Sequence, residues 1–174
     1  AIKLDDQLFM IMQFQHVTPG NLRAFCALKI KNLNTGSIVD KRLRSGDEIE
    51  RVDLDRREME FLYSDSSGFV FMDSEDFEQV ALQDGLVGDM MPFVKPNTVI
   101  TVLFAEGNPI SIELPNVVEL EITDTTPAIK GATATNQLKE AVCETGLKVR
   151  VPPFISIGDR VKISTTDGSY NARV

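Results

Sequence analysis

The sequence has no tryptophan, one histidine and two cysteines. It also has no run of about 18 apolar residues, so no segment reads as a membrane-spanning helix. Cys26 and Cys143 are far apart, and with the lone His16 they match no zinc-ligand spacing. Cys26 shares a strand face with Leu28 and Ile30 and reads as a small buried core residue in a reducing compartment. His16 stands beside a predicted hairpin turn, where a single imidazole more often packs or caps than catalyses. Neither G-x-x-x-x-G-K-[ST] nor G-x-G-x-x-G is present, which removes the common phosphate cradles. No nucleophile–base pair stands out. Asp53 and Asp55, and the run Asp73-Ser74-Glu75-Asp76, fit no calcium loop and read as solvated strand ends. Neither an enzyme, a cofactor nor a metal site is expected.

The formal net charge is −8, which taken alone disfavours unspecific binding to a duplex. Its distribution says more. Residues 1–52 hold eight Lys/Arg against six Asp/Glu, residues 53–115 three against thirteen, and residues 116–174 seven against seven. The acid is concentrated in the middle, which leaves both ends able to approach a polyanion. Residues 1–9 alternate in type and carry Asp5 and Asp6, unlike a signal or transit peptide. The chain lacks a start methionine and opens as if inside a strand, which reads as a truncated or processed N-terminus.

What is present is one short strand after another. Residues 9–17 and 24–33 read as strands. In the second, Ala24, Cys26, Leu28 and Ile30 lie on one face, and Lys29 and Lys31 on the solvated other. Between them runs Thr18-Pro19-Gly20-Asn21-Leu22-Arg23. Proline suits the second position of a type II turn and glycine the positive φ of the third, which predicts a long hairpin with Asn21, Leu22 and Arg23 at its tip. Asn34-Thr35-Gly36 is the next turn, followed by a strand over 38–43. Further strands are predicted over 59–63, 69–72, 78–82, 98–104, 109–114, 117–123, 147–151, 160–164 and 169–173. A short helix is predicted over 85–93, and a small-residue loop over 130–135. Short strands with turns at this spacing predict an all-β chain of small barrels. Three units are expected, over 1–52, 53–115 and 116–174, the second and third each fitting a five-strand OB-type barrel. No low-complexity linker separates them, so they should pack directly.

Several stretches, taken in order, resemble bacterial elongation factor P. Phe14-Gln15-His16-Val17-Thr18-Pro19-Gly20, Ala24-Phe25 and Leu28-Lys29-Ile30-Lys31-Asn32-Leu33-Asn34-Thr35-Gly36 are similar to the first domain of that family. Phe61-Leu62-Tyr63 with Phe71-Met72 resembles the middle domain. The run from Glu113 to Thr125 with Lys130-Gly131 resembles the junction to the last domain. Val151-Pro152-Pro153-Phe154-Ile155 and Thr166-Asp167-Gly168-Ser169-Tyr170-Asn171-Ala172-Arg173-Val174 resemble the C-terminal part. The likeness covers nearly the whole chain, without the residues that the family carries first.

This resemblance implies a KOW/SH3-like N-terminal barrel followed by two OB-type barrels in an L shape. It implies a cytoplasmic, monomeric translation factor that binds the 70S ribosome between the peptidyl-tRNA and exit sites and relieves stalling at consecutive prolines. Pro19, Gly20, Asn21, Leu22 and Arg23 would form the loop that meets the acceptor end of peptidyl-tRNA. Gly131 and Thr133 would face the exit-site mRNA codon and the small subunit. Tyr170 and Arg173 are further candidates for RNA contact, with packing of Tyr170 in the last barrel as the alternative. The family's modified Lys or Arg aligns with Asn21, which has neither amine nor charge, so the loop is expected to work unmodified. Two other readings are an elongation factor P-like subgroup protein, whose loop is written differently, and a general single-strand RNA-binding OB protein, which the acidic middle disfavours.

Overall fold

Three antiparallel sheets of five strands each make up nearly all the regular structure in the computed structural model, which describes residues 1–20, 23–127 and 138–174. The first sheet holds β1 (Ile2–Leu4), β2 (Gln7–Val17), β3 (Phe25–Asn32), β4 (Ile38–Arg44) and β5 (Glu50–Arg51), in the order β4-β3-β2-β1-β5. The second holds β6 (Leu54–Asp65), β7 (Gly68–Asp73), β8 (Gln79–Leu82), β9 (Val99–Ala105) and β10 (Asn108–Glu113), ordered β10-β9-β6-β7-β8. The third holds β11 (Val117–Thr125), β12 (Lys139–Cys143), β13 (Lys148–Val151), β14 (Arg160–Ser164) and β15 (Tyr170–Arg173), ordered β13-β12-β11-β14-β15. In the second and third sheets the outer strands approach each other, β8 with β10 and β13 with β15, so both sheets curl toward barrels. The all-β expectation and its barrel-like units are met.

Alternation builds each core. In β6, Met59 and Phe61 point inward and are buried, and in β7 Phe71 is fully enclosed. Leu82, Val87 and Val102 complete this cluster with no exposed surface. The third sheet centres on Leu120, Ile122, Val151, Ile155, Val161 and Ile163. The first sheet has the smallest core, with Ile2, Leu28, Ile30 and Leu43.

The sheets also share packing. Leu33 is buried inside the apolar cluster of the second sheet, and Ala1, Leu8 and Met10 pack against it. Lys31 does not end in solvent: its Nζ donates to the Leu86 carbonyl at 2.7 Å. On the other side, Phe93 packs against the third cluster, Thr145 Oγ1 donates to the Pro92 carbonyl at 2.5 Å, and Lys95 lies 3.6 Å from Glu144. Residues 85–95 of the middle unit therefore touch both neighbours.

Four local expectations change. Gly20 is not among the glycines with positive φ, so Thr18-Pro19-Gly20 does not make the type II geometry expected of it. The helix expected over 85–93 is split into one α turn, Asp84–Val87 (α1), and a 3-10 turn, Met91–Phe93. Gly88 closes the first by donating to the Asp84 carbonyl at 2.7 Å, and Pro92 opens the second. Cys26 is half-buried rather than enclosed. The strand β12 was not expected, because Lys139-Glu140-Ala141 reads as a weak strand former; register with β11 and β13 creates it.

Candidate functional site

The hairpin of β2 and β3 carries the loop singled out by sequence. Its register runs from Phe9↔Asn32 to Val17↔Phe25, with a bulge between Ile11 and Gln13. Residues 11–16 of β2 are all exposed, Phe14 among them at 62 %. At the far end Thr18, Gly20 and Arg23 are exposed, and Pro19 and Ala24 half-buried. Pro19, Gly20 and Arg23 thus flank the tip. Asn21 and Leu22 lie outside the described residues, as do Gly131 and Thr133.

Register assigns the hairpin two unlike faces. Gln13, Lys29 and Asp40 form one cross-strand row, Gln15, Ala27 and Arg42 the next, and Val17, Phe25 and Arg44 the last before the loop. Lys29, Arg42 and Arg44 therefore share one face, next to the tip. The Arg42 guanidinium lies 5.3 Å from the Phe25 ring centroid, a cation–π contact that orders it. Among the described residues neither Arg42 nor Arg44 makes an ion pair, so both charges are available to an anion. Sequence reading passed over both arginines. Lys41-Arg42-Leu43-Arg44 is visibly basic, but only the pairing of β4 with β3 shows which of its cations flank the hairpin's polar side.

The opposite face carries the rows Phe14–Leu28–Lys41 and His16–Cys26–Leu43. Cys26 Sγ lies 3.7 Å from His16 Nδ1. Among the described residues no three His, Cys, Asp or Glu side chains are grouped to hold a metal ion.

The root of the hairpin is held by Asn32, a buried polar residue. Its Oδ1 accepts the amides of Asn34 and Thr35 at 2.8 and 3.0 Å, and its Nδ2 donates to Gln7 Oε1 at 2.9 Å. That side chain shapes the turn leading to Gly36, whose φ is +72°.

In the third sheet Tyr170 is half-buried and packs against the core cluster. Arg173 is exposed and lies 4.0 Å from Asp159. The turn before them is set by Asp167. Its carboxyl accepts the Ser169 hydroxyl at 2.7 Å and amide at 3.1 Å, which holds it below its ordinary pKa. The structure brings Tyr170 and Arg173 to one short strand, with Tyr170 serving the core.

Comparison with known proteins covers the chain from end to end. Residues 1–49 match the family described as elongation factor P KOW-like domain, residues 54–112 its OB domain, and residues 118–173 its C-terminal domain. Elongation factor P from Pelotomaculum thermopropionicum is 43% identical over 174 residues, covering all of this chain and 94% of that protein. The proteins of the same name from Acetivibrio thermocellus and Mycolicibacterium smegmatis are 44% and 45% identical over the whole of this chain, covering 94% and 93% of theirs. A solved structure titled eukaryotic translation initiation factor 5A from Methanococcus jannaschii aligns at 17% identity and a TM-score of 0.45, over 64% of this chain and 82% of that one. With three domain matches in order and relatives above two-fifths identity along its whole length, the chain belongs to the elongation factor P family.

Proposed function

We propose that this chain binds the 70S ribosome between the peptidyl-tRNA and exit sites and speeds peptide-bond formation where consecutive prolines stall it. The observation that carries the reading is the hairpin. It presents Pro19, Gly20 and Arg23 at its end, with Arg42 and Arg44 on the flanking face and no carboxylate paired to either among the described residues. Arginine forks suit phosphate oxygens, and contacts of that kind position a nucleic acid without reading its sequence. Residues 1–52 would carry the finger to the acceptor end of peptidyl-tRNA. Residues 53–115 would act as an acidic spacer, and residues 116–174 would reach the small subunit, with Gly131 and Thr133 toward the exit-site mRNA codon.

In this reading the protein supplies no reacting group. Proline is a constrained nucleophile, and a displaced peptidyl-tRNA makes attack rarer. Holding the ester in near-attack geometry lowers the barrier by orientation alone. The Asn21 side chain has no amine to acylate, so the loop works unmodified through its backbone and Arg23. A mass of the natively purified protein that exceeds the sequence mass on a loop peptide would overturn that part.

The deciding experiment is reconstituted translation of a triple-proline message. The chain should raise full-length product several-fold over factor-free reactions, and should do nothing for a message without prolines. Arg23→Ala should lose most of the gain and Asn21→Ala less. Absence of any relief by the parent chain would refute the assignment, and parental behaviour of Arg23→Ala would refute the role given to that side chain.

A further inference from the structure

Thr18, Gly20 and Arg23 at the described end of the hairpin are exposed, so the aim of that end depends on how the root is held. Residues 11–16 of β2 are exposed, and the strands extend from Lys31 and Asn32 to Phe25, with Leu28 and Ile30 packed on Ile2 of β1 and Leu43 of β4. At a rise of about 3.3 Å per residue, that arm is about 20 Å long. A rotation of about 3° at the root displaces its end by about 1 Å, and misplacement of that size can cost about a hundredfold in a reaction that depends on orientation.

The root meets the middle unit through unusually close backbone contact. A Cβ placed on Gly36 would stand 2.5 Å from the Gly85 carbonyl oxygen and 2.9 Å from its carbon. Gly36 also has φ +72°, which glycine alone adopts without strain. One residue on, the Leu86 carbonyl accepts the Lys31 ammonium at 2.7 Å. Leu33 is buried in the second sheet's cluster between these two points in sequence. Three different interactions thus clamp residues 31–36 against Gly85 and Leu86. The reverse side of the contact is looser: a Cβ on Gly85 would meet Thr35 O at 3.8 Å and Gly36 Cα at 3.9 Å, ordinary van der Waals distances.

We propose that Gly36 and Lys31 are positioning residues for the factor's action, fixing the direction of the hairpin by seating its root on Gly85 and Leu86. The proposal rests on the ribosomal reading above and adds to it. The clamp governs how well bound factor works, not how tightly it binds. Substitutions there should lower the maximal rate of proline-stall relief at saturating factor and leave the half-saturating concentration near the parent's.

The test compares the full-length parent with Gly36→Ala, Lys31→Met, Gly85→Ala and Gly107→Ala. Gly107 has φ +80° with nothing within 4 Å of an added Cβ, so its substitution imposes the same backbone penalty with no displaced neighbour. Two readouts are taken. One is the rate of relief as a function of factor concentration. The other is the distance between spin labels at exposed Thr18 and Glu75, with Cys26 and Cys143 replaced beforehand, measured by pulsed electron resonance. Gly36→Ala should shift or broaden that distance and cut the maximal rate at least tenfold. Lys31→Met should do the same to a smaller degree. Gly85→Ala and Gly107→Ala should match the parent in both readouts. If Gly36→Ala fails to fold, Lys31→Met carries the test, since it keeps the stem and removes only the donor. Relief by Lys31→Met or Gly36→Ala at the parental rate despite a changed distance would overturn the proposal, as would an unchanged distance. A parent that relieves no stalling would instead refute the functional reading itself.

Discussion

His16 and Cys26 are partners across the hairpin, paired in register with Nδ1 3.7 Å from Sγ. Cys26 is half-buried, whereas Cys143 is 1% exposed in the core of the third sheet. Both are free thiols. An aromatic disulfide reagent should therefore modify one thiol quickly in the native protein, and peptide mass mapping should place it on Cys26. The second should react only in denaturant. Comparable native labelling of Cys143 would mean that the third core opens far more often than its packing suggests.

Cys143 also gives the protein a pH dependence of known sign. Burial, with the nearby Glu144 carboxylate, pushes its thiol from an ordinary 9.0 up to about 11. In the unfolded chain the thiol ionises near its ordinary value, so between about pH 9 and 11 the unfolded state binds fewer protons than the folded one. This thiol's contribution to stability is fully present below that window and is lost as pH rises across it. Urea midpoints measured from pH 8 to 11 should decline, and Cys143→Ala should decline less steeply. Parallel curves for the two proteins would dismiss this thiol as a source of the slope.

Phe77 holds a left-handed backbone, φ +62°, while its ring is 68% exposed. Its amide donates to the Asp73 carbonyl at 3.2 Å, and Asp73 and Asp76 side chains cap the amides of Glu75 and Glu78 at 2.7 and 2.9 Å, so the turn is fixed by its neighbours. A non-glycine residue in this conformation costs about 1–2 kcal/mol, part of which glycine's greater unfolded freedom offsets. Phe77→Gly should accordingly raise stability by about 0.5–1 kcal/mol, or a melting temperature gain of about 1–4 °C. Phe77→Ala keeps the strain and should show no gain. A destabilised glycine variant would reveal a structural contribution from the ring.

Strand positions were legible in this chain because period-two alternation is local: β3, β4, β7, β10 and β14 fall within a residue or two of where hydrophobic pattern puts them. The turn at Asn34-Thr35-Gly36 was legible for the same reason, since turn residues carry their conformation with them. Contacts between units were not. Lys31 alternates as a solvent-facing lysine, and nothing in its own strand announces that the Leu86 carbonyl lies at its end. Gly20 failed in the opposite direction: a Pro-Gly pair favours one turn type, yet Gly20 does not adopt the positive φ that type needs. Arg42 and Arg44 sit in a run whose meaning depends on register with β3, and register is a property of two strands.

The cross-strand register predicts that Arg42 and Arg44 bind phosphate and that the acidic middle unit does not. Arg42→Ala and Arg44→Ala should each weaken binding to ribosomes carrying peptidyl-tRNA by about three- to tenfold at low salt. Each should also flatten the dependence of log affinity on log salt by about 0.7–0.9, the change expected for one phosphate contact. Neither should shift stability by more than about 1 kcal/mol, since the cation–π contact of Arg42 with Phe25 is the only interaction either guanidinium makes among the ion pairs and ring contacts of the described residues. Arg56→Ala removes the same charge from the second sheet, where the side chain is already paired with Glu113 at 3.0 Å. It should leave both affinity and salt slope unchanged. Equal weakening by all three variants would mean that ribosomes sense only net charge, and the hairpin's basic face would lose its special place. Loss confined to Arg42 and Arg44 would locate the nucleic acid on the one side of the finger where cross-strand rows gather uncompensated arginine beside the loop.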